Sequence, residues 1–208
     1  MTILNKLASS LHRRDEEANQ LLAEEIVKAN DAKAIAELVE NLNNKSRDIQ
    51  NDCIKVLYEI GERKPALIAS YLRNFVGLLE NKNNRLQWGA MTALDAIATE
   101  DPGAIFKVLT KIIVAAEGGS VITRDHAVNI LVKLCAVKQY SDTAFPFLIE
   151  QIQRSPSNQL PMYAEKAMPF INEKNRPVFI KTLNSRLDDI DKDTKRKRVE
   201  KVIAKLQR

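Results

Sequence analysis

Apolar residues recur along this chain at intervals of three and four, and the stretches that carry them recur at a fixed interval of 37 residues. From Ile49 the apolar or small positions are Ile49, Cys53, Val56, Leu57 and Ile60; from Leu86 they are Leu86, Ala90, Ala93, Leu94 and Ile97. Such spacing places them on one face of a helix. Between these stretches lie others of the same period: Ala32, Ile35, Leu38, Val39 and Leu42, then Leu72, Phe75, Val76 and Leu79, then Leu109, Ile112, Ile113 and Ala116. Each adjoining pair of stretches predicts a helical hairpin.

The hairpins repeat. Asn44, Asn81, Gly118 and Ser155, all in turn clusters, stand 37 residues apart. The same interval links the small residues Cys53, Ala90, Ala127 and Ala164, the large apolar Leu57, Leu94, Leu131 and Met168, and the series Ile60, Ile97, Leu134 and Ile171. A unit this short cannot bury its own apolar face, so repetition at this length predicts a stack in which each unit covers the next. The expected fold is all-α, an α-α superhelix of about five hairpins forming a single domain over residues 1–208. Its units span roughly 1–30, 31–62, 65–99, 102–138 and 142–173, with a C-terminal hairpin at 175–208.

Boundary signals refine the units. Residues 1–13, with Ile3, Leu4, Leu7 and Leu11, read as a weak helix capping the first open end. Asp31 is an N-cap, and Asn43 or Asn44 ends the following helix by entering the left-handed region. Ser46 or Asp48 caps the next helix, whose end Gly61 marks. Pro65 opens a helix carrying Ala66 to Glu80, because proline at the first helical position forfeits only an unpartnered amide. Asp101 and Pro102 repeat this device, and Asp142 with Pro146 approximates it. Pro169 falls inside the helix expected from Gln159, which should kink or end early. A last hairpin has Val178 to Leu187 and Lys192 to Leu206 as its arms, with Val199, Val202, Ile203 and Leu206 as the buried stripe.

Composition suits that reading: charged residues make up 28%, aromatics 5%, and only six glycines are present, too few to turn many β-hairpins. The N-terminus reads as carrying no secretory signal, and no run approaches the roughly 18 apolar residues of a membrane span. Cys53 and Cys135 sit at or beside inward columns, as buried thiols rather than a disulfide, which predicts a reducing compartment, the cytoplasm. Charge is uneven: residues 1–191 hold 24 Lys and Arg against 25 Asp and Glu, whereas 192–208 hold 8 against 2. Lys195, Arg196, Lys197, Arg198 and Lys201 therefore form a candidate anion-binding face.

The strings Leu78-Leu79-Glu80-Asn81-Lys82-Asn83-Asn84-Arg85-Leu86-Gln87-Trp88-Gly89-Ala90 and Val121-Ile122-Thr123-Arg124-Asp125-His126-Ala127 resemble the HEAT repeat of the armadillo-like superhelices. In that family a first helix ends in Leu-Leu, a short polar turn follows, and the second helix opens with an aliphatic residue, often an arginine, then an alanine. The arginine position holds Gln50, Gln87, Arg124 and Pro161 in successive units. The resemblance implies that second helices line a concave face, where their outward columns become ladders of side chains. One ladder is Asn51, Trp88, Asp125 and Met162; a second is Asp52, Gly89, His126 and Tyr163; a third is Lys55, Thr92, Asn129 and Lys166.

A rigid display of this kind predicts a non-enzymatic scaffold that binds another protein or peptide. Trp88, the only tryptophan, is the natural anchor, with Gly89 beside it allowing close approach. Asn51, Asp52, Lys55, Arg85, Arg124, Asp125, His126, Asn129, Tyr163 and Lys166 complete the candidate set. The alternative is nucleic-acid binding through the basic C-terminal helix or, more remotely, base excision of the kind performed by HEAT-like alkylpurine DNA glycosylases. His12 and His126 are the only histidines, no Cys or His pair has metal-ligand spacing, and no nucleophile accompanies Asp125-His126, so no catalytic residue, metal or cofactor is expected.

Overall fold

The computed structural model describes residues 2–208, and among them every regular element is helical. Met1, the first residue of the expected N-terminal helix, lies outside the described residues. The chain divides into two compact units, Met1–Ala127 and Val128–Arg208. The first holds α1 (Glu17–Ala29), α2 (Ala32–Glu40), α3 (Arg47–Arg63), α4 (Leu72–Gly77), α5 (Asn84–Glu100), α6 (Pro102–Lys107), α7 (Leu109–Gly118) and the start of α8 (Val121–Ala136). The second holds the remainder of α8, then α9 (Lys138–Arg154), α10 (Leu160–Ala167), α11 (Arg176–Asn184) and α12 (Asp193–Leu206).

In the first unit α3 packs against both α1 and α5. The repeating columns point inward: Cys53, Leu57 and Ile60 on α3 and Ala90, Leu94 and Ile97 on α5 are fully buried. Each large aliphatic among them contributes about 1.5–3 kcal/mol by leaving water. Gly89 is buried as well, and a Cβ built on it would stand 2.6 Å from Ile54 Cγ1. The space that glycine frees is therefore occupied by α3, not left open for a partner as the sequence suggested. Gly61, expected to end α3, lies within it, and a Cβ there would meet Ile68 Cδ1 at 2.5 Å.

The turns are built from the same register. Ser46, Asn83 and Ser120, again 37 apart, cap α3, α5 and α8 through bonds from the amides of Ile49, Arg85 and Thr123. Four residues beyond each cap a side chain reaches back across the turn. Gln50 Nε2 donates to the Asn44 carbonyl at 2.7 Å, Gln87 Nε2 to that of Leu79 at 2.8 Å, and Arg124 Nε to that of Ala116 at 3.4 Å. The column of Gln50, Gln87 and Arg124 thus ties second helix to first. Pro161, fourth in the column, has no such donor and is buried.

Several boundaries differ from expectation. The N-terminal segment forms one 3-10 turn, Ile3–Lys6, followed by irregular turns rather than a helix to residue 13. Asn44 keeps φ at −58°; the left-handed cap belongs instead to Asn30, which ends α1 with φ 51°. The helix expected from Pro65 is broken into 3-10 turns, Pro65–Leu67 and Ala69–Tyr71, ahead of α4, and its counterpart is divided into α6 and α7. Tyr71 (φ −95°, ψ 13°) and Val108 (φ −111°, ψ 9°) mark equivalent breaks, so each leading segment turns its buried isoleucine, Ile68 or Ile105, into the core. Such units have a short leading piece before the antiparallel pair.

In the second unit α12 packs on α10 and α11, and α11 on α9. The expected start at Asp142 and Pro146 is replaced by a helix that begins at Lys138 and runs through Pro146. Proline removes one amide bond there, but Ala144, Phe145, Leu148 and Ile152, all buried, hold the helix on both sides of it. Pro169 does end α10 early: the helix stops at Ala167 and a 3-10 turn, Met168–Phe170, follows. The C-terminus of α9 is closed by Arg186, whose Nη1 donates to the Ile152 carbonyl and Nη2 to the Ser155 carbonyl, both at 2.9 Å. Nη1 also meets the Gln153 carbonyl, and Nε pairs with Asp189.

Candidate functional site

The predicted residues of the first unit gather on one surface. Trp88 on α5 is half-buried and lies against Tyr58 of α3, with ring centroids 5.7 Å apart and planes tilted by 48°. The Arg85 guanidinium sits over the indole at 4.9 Å, a cation–π contact. Arg85 also pairs with Glu16, and Glu16 in turn receives Lys55 Nζ at 2.9 Å. Lys55 reaches Glu59 at 2.6 Å, and Glu59 pairs with Arg63, so one chain of alternating charges runs along α3.

Beside this patch opens a polar recess of about 510 Å³, walled by Ser9, His12, Arg13, Arg14, Asp15, Glu16, Asp48, Asn51, Asp52 and Arg85. Three sequence candidates, Asn51, Asp52 and Arg85, therefore share one cavity. Asp52 accepts from the Ser9 amide at 2.8 Å and from Asn19 Nδ2 at 2.7 Å, which pins the N-terminal segment over α1 and α3. Asn51 Oδ1 accepts from Asn83 Nδ2 at 2.9 Å. The recess wall contributed by residues 9–16 was not visible in the sequence, because this segment has no counterpart in the other units.

Lys55 is a correction: its side chain is only 6% exposed, so it braces the site from behind instead of lining a face. Thr92, in the same ladder, is buried and bonds the Trp88 carbonyl at 2.9 Å. Burial works against the Lys55 ammonium, and bonds to Glu59 and Glu16 outweigh it, so its pKa is raised. For Glu59 burial acts upward, while the hydrogen bonds from Lys55 and Arg63 prevail and lower the pKa below 4.5. A depressed carboxylate stabilises the fold above its unfolded pKa and loses that contribution as pH falls through the folded value. The unfolding midpoint is therefore expected to drop as pH is lowered below about 4.5, the ordinary glutamate value. Thermal melts across this range should show a shallower acid limb for Glu59→Gln; an identical limb would exclude Glu59 as a source.

The other candidates lie elsewhere. His126 Nδ1 meets Asp95 Oδ2 on α5 at 2.8 Å. Arg124 is used in its turn. In the second unit Lys166 Nζ donates to Asn129 Oδ1 at 2.7 Å, joining two ladder residues on the surface. Tyr163 is wholly buried and belongs to the core: α10 turns that position toward its neighbours, so it displays nothing. Cys53 and Cys135 are free and buried, their thiols pushed up to about 12, chiefly by burial.

On α12 the basic residues divide in two. Lys195 donates to Asn158 Oδ1 at 2.7 Å and Arg196 to the Ile190 carbonyl at 3.2 Å, which ties both to the fold. Lys197, Arg198 and Lys201 are exposed, as are Lys205 and Arg208. Arg198 Nε bonds Glu165 of α10 at 2.8 Å, and Lys197 lies 3.4 Å from Asp193.

The sequence matches no protein-family model and no curated protein. Solved structures of repeat proteins do resemble the chain. A designed armadillo repeat protein in complex with the peptide (KR)4 superimposes with a TM-score of 0.68 at 15% identity, over 99% of this chain and 100% of that one. A computationally designed armadillo repeat protein for modular peptide recognition gives 0.67 at 16%, over 98% and 97%. The archaeal HEAT-like repeats protein from Thermococcus onnurineus NA1 gives 0.50 at 15%, over 93% and 97%. The fold is an all-α repeat superhelix. More narrowly, it is of the HEAT/armadillo-like kind, and among the described residues no helix is long and apolar enough to cross a membrane.

Proposed function

We propose that this chain is a non-enzymatic scaffold that binds another protein or a peptide, and that the contact centres on Trp88 and Arg85 beside the recess of the first unit. The observation that carries the reading is the Arg85–Trp88 pair: a half-buried indole, backed by Tyr58 and covered by a guanidinium, at the edge of a polar cavity. Aromatic and arginine side chains held rigidly before binding are the residues that concentrate interface energy, since little side-chain freedom is left to lose. The fold supports the same reading, because a designed armadillo repeat protein of like architecture holds a peptide.

Affinity capture with the intact protein and with Trp88→Ala tests this. Partners retained by the intact protein should bind the variant about 30-fold more weakly, the loss that accompanies a central hot spot of about 2 kcal/mol. Melting curves of the two proteins establish that the variant is folded. Equal recovery by both removes Trp88 from the interface.

A further inference from the structure

A second surface, in the other compact unit and independent of the Trp88 site, has a different chemistry. On α12 the side chains of Val199, Val202 and Ile203 are buried, so every large apolar group of the helix except the half-buried Leu206 is committed to the core. Outside lies a row of exposed cations, Lys197, Lys201 and Lys205, succeeding one another every four residues, with Arg208 next; Asp193, 3.4 Å from Lys197, and Glu200 are the exposed acids of the same helix. Four residues of helix rise about 6 Å, so the three lysines extend for about 12 Å along one side, and Arg208 lies just past the end of α12. Arg198 lies alongside and is held by Glu165. The Glu165 carboxyl is kept below its ordinary range by the Arg198 hydrogen bond and, less strongly, by the fields of Lys201 and Lys205.

We propose that this face docks the phosphate backbone of nucleic acid, without reading base sequence. Three partner classes carry enough negative charge to be drawn to such a row, and the face itself separates them. A protein interface needs an apolar or aromatic centre inside its polar rim, and this row has none. An interfacial membrane helix inserts large apolar side chains beside its cations, whereas those of α12 are turned inward. Nucleic-acid interfaces are polar and strongly positive, and a duplex presents a charge about every 1.7 Å along its axis, dense enough to engage every cation of the row at once. With only flexible lysines and one terminal arginine in line, the contacts position a backbone and carry no sequence information.

Fluorescence anisotropy of a labelled duplex oligonucleotide titrated with the full chain tests this. Binding should appear at low salt and weaken about 100-fold between 50 and 200 mM, as four phosphate contacts require. The variant Lys197→Glu, Lys201→Glu, Lys205→Glu should lose it, while Lys28→Glu, Lys33→Glu, Lys45→Glu, also exposed but in the first unit, should retain most of it. Circular dichroism confirms that both variants are folded, and an unrelated duplex should bind equally well. Absence of binding at low salt, retention by the α12 variant, or tighter binding to phosphatidylserine vesicles than to duplex would overturn the proposal. Trp88→Ala should leave the titration unchanged, so this surface and the protein-binding site fail or stand separately.

Discussion

Gly89→Leu is expected to lower stability by about 3 kcal/mol, the upper end of what overpacking a filled core costs. The position lies inside α5, where Ala would ordinarily gain about 1 kcal/mol over Gly from helix propensity. Here propensity loses, because the new Cβ would fall 2.6 Å from Cγ1 and 3.3 Å from Cγ2 of Ile54, a fully buried side chain that would have to shift. Gly89→Ala should therefore destabilise the intact protein. In an Ile54→Ala background both clashing atoms are gone, and the same Gly89→Ala change should become stabilising. Denaturant midpoints of the four proteins give the answer; a change of the same sign in both backgrounds would mean that Ile54 does not set the approach of α3 and α5.

Arg186→Ala should cost about 2–3 kcal/mol, since one charged fork serves the carbonyls of Ile152, Gln153 and Ser155 at the end of α9. Its side chain is only 14% exposed, so water cannot readily take over the bonds. Arg186→Lys should recover a minor part, because an ammonium is a point donor and does not reproduce a planar fork. Hydrogen exchange of the last turn of α9 should accelerate in the alanine variant, whereas exchange in α3 and α5 should not change. An unaltered unfolding midpoint would show that these carbonyls have other partners.

The repeat was legible because burial imposes it directly: a column that must stay small or large at every unit boundary leaves the same mark at Cys53, Ala90 and Ala127, or at Leu57, Leu94 and Leu131. The breaks at Tyr71 and Val108 left no such mark. Ile68, Leu72 and Phe75 keep the spacing of an uninterrupted helix, so the apolar period passes through a change of direction unaltered. Pro146 misled for the converse reason, as a local start signal overruled by buried residues on both sides. At the candidate site the sequence located Trp88, Arg85, Asn51 and Asp52, all on repeating helices. It did not reveal Glu16, whose pairing with Arg85 and Lys55 joins residues 69 and 39 positions away and depends wholly on tertiary packing. Lys55 and Tyr163 were misjudged because a column's exposure was assumed constant from unit to unit, and in these two units neighbours close over it.

The side chains that cross each turn, Gln50, Gln87 and Arg124, have a bearing on how such a chain can change over generations. Adding or deleting a single residue in a turn would carry the donor away from its carbonyl and rotate the following helix out of phase, so small insertions there should be purged. Gain or loss of an entire 37-residue block leaves every such junction intact. Length in this lineage should accordingly vary in whole modules.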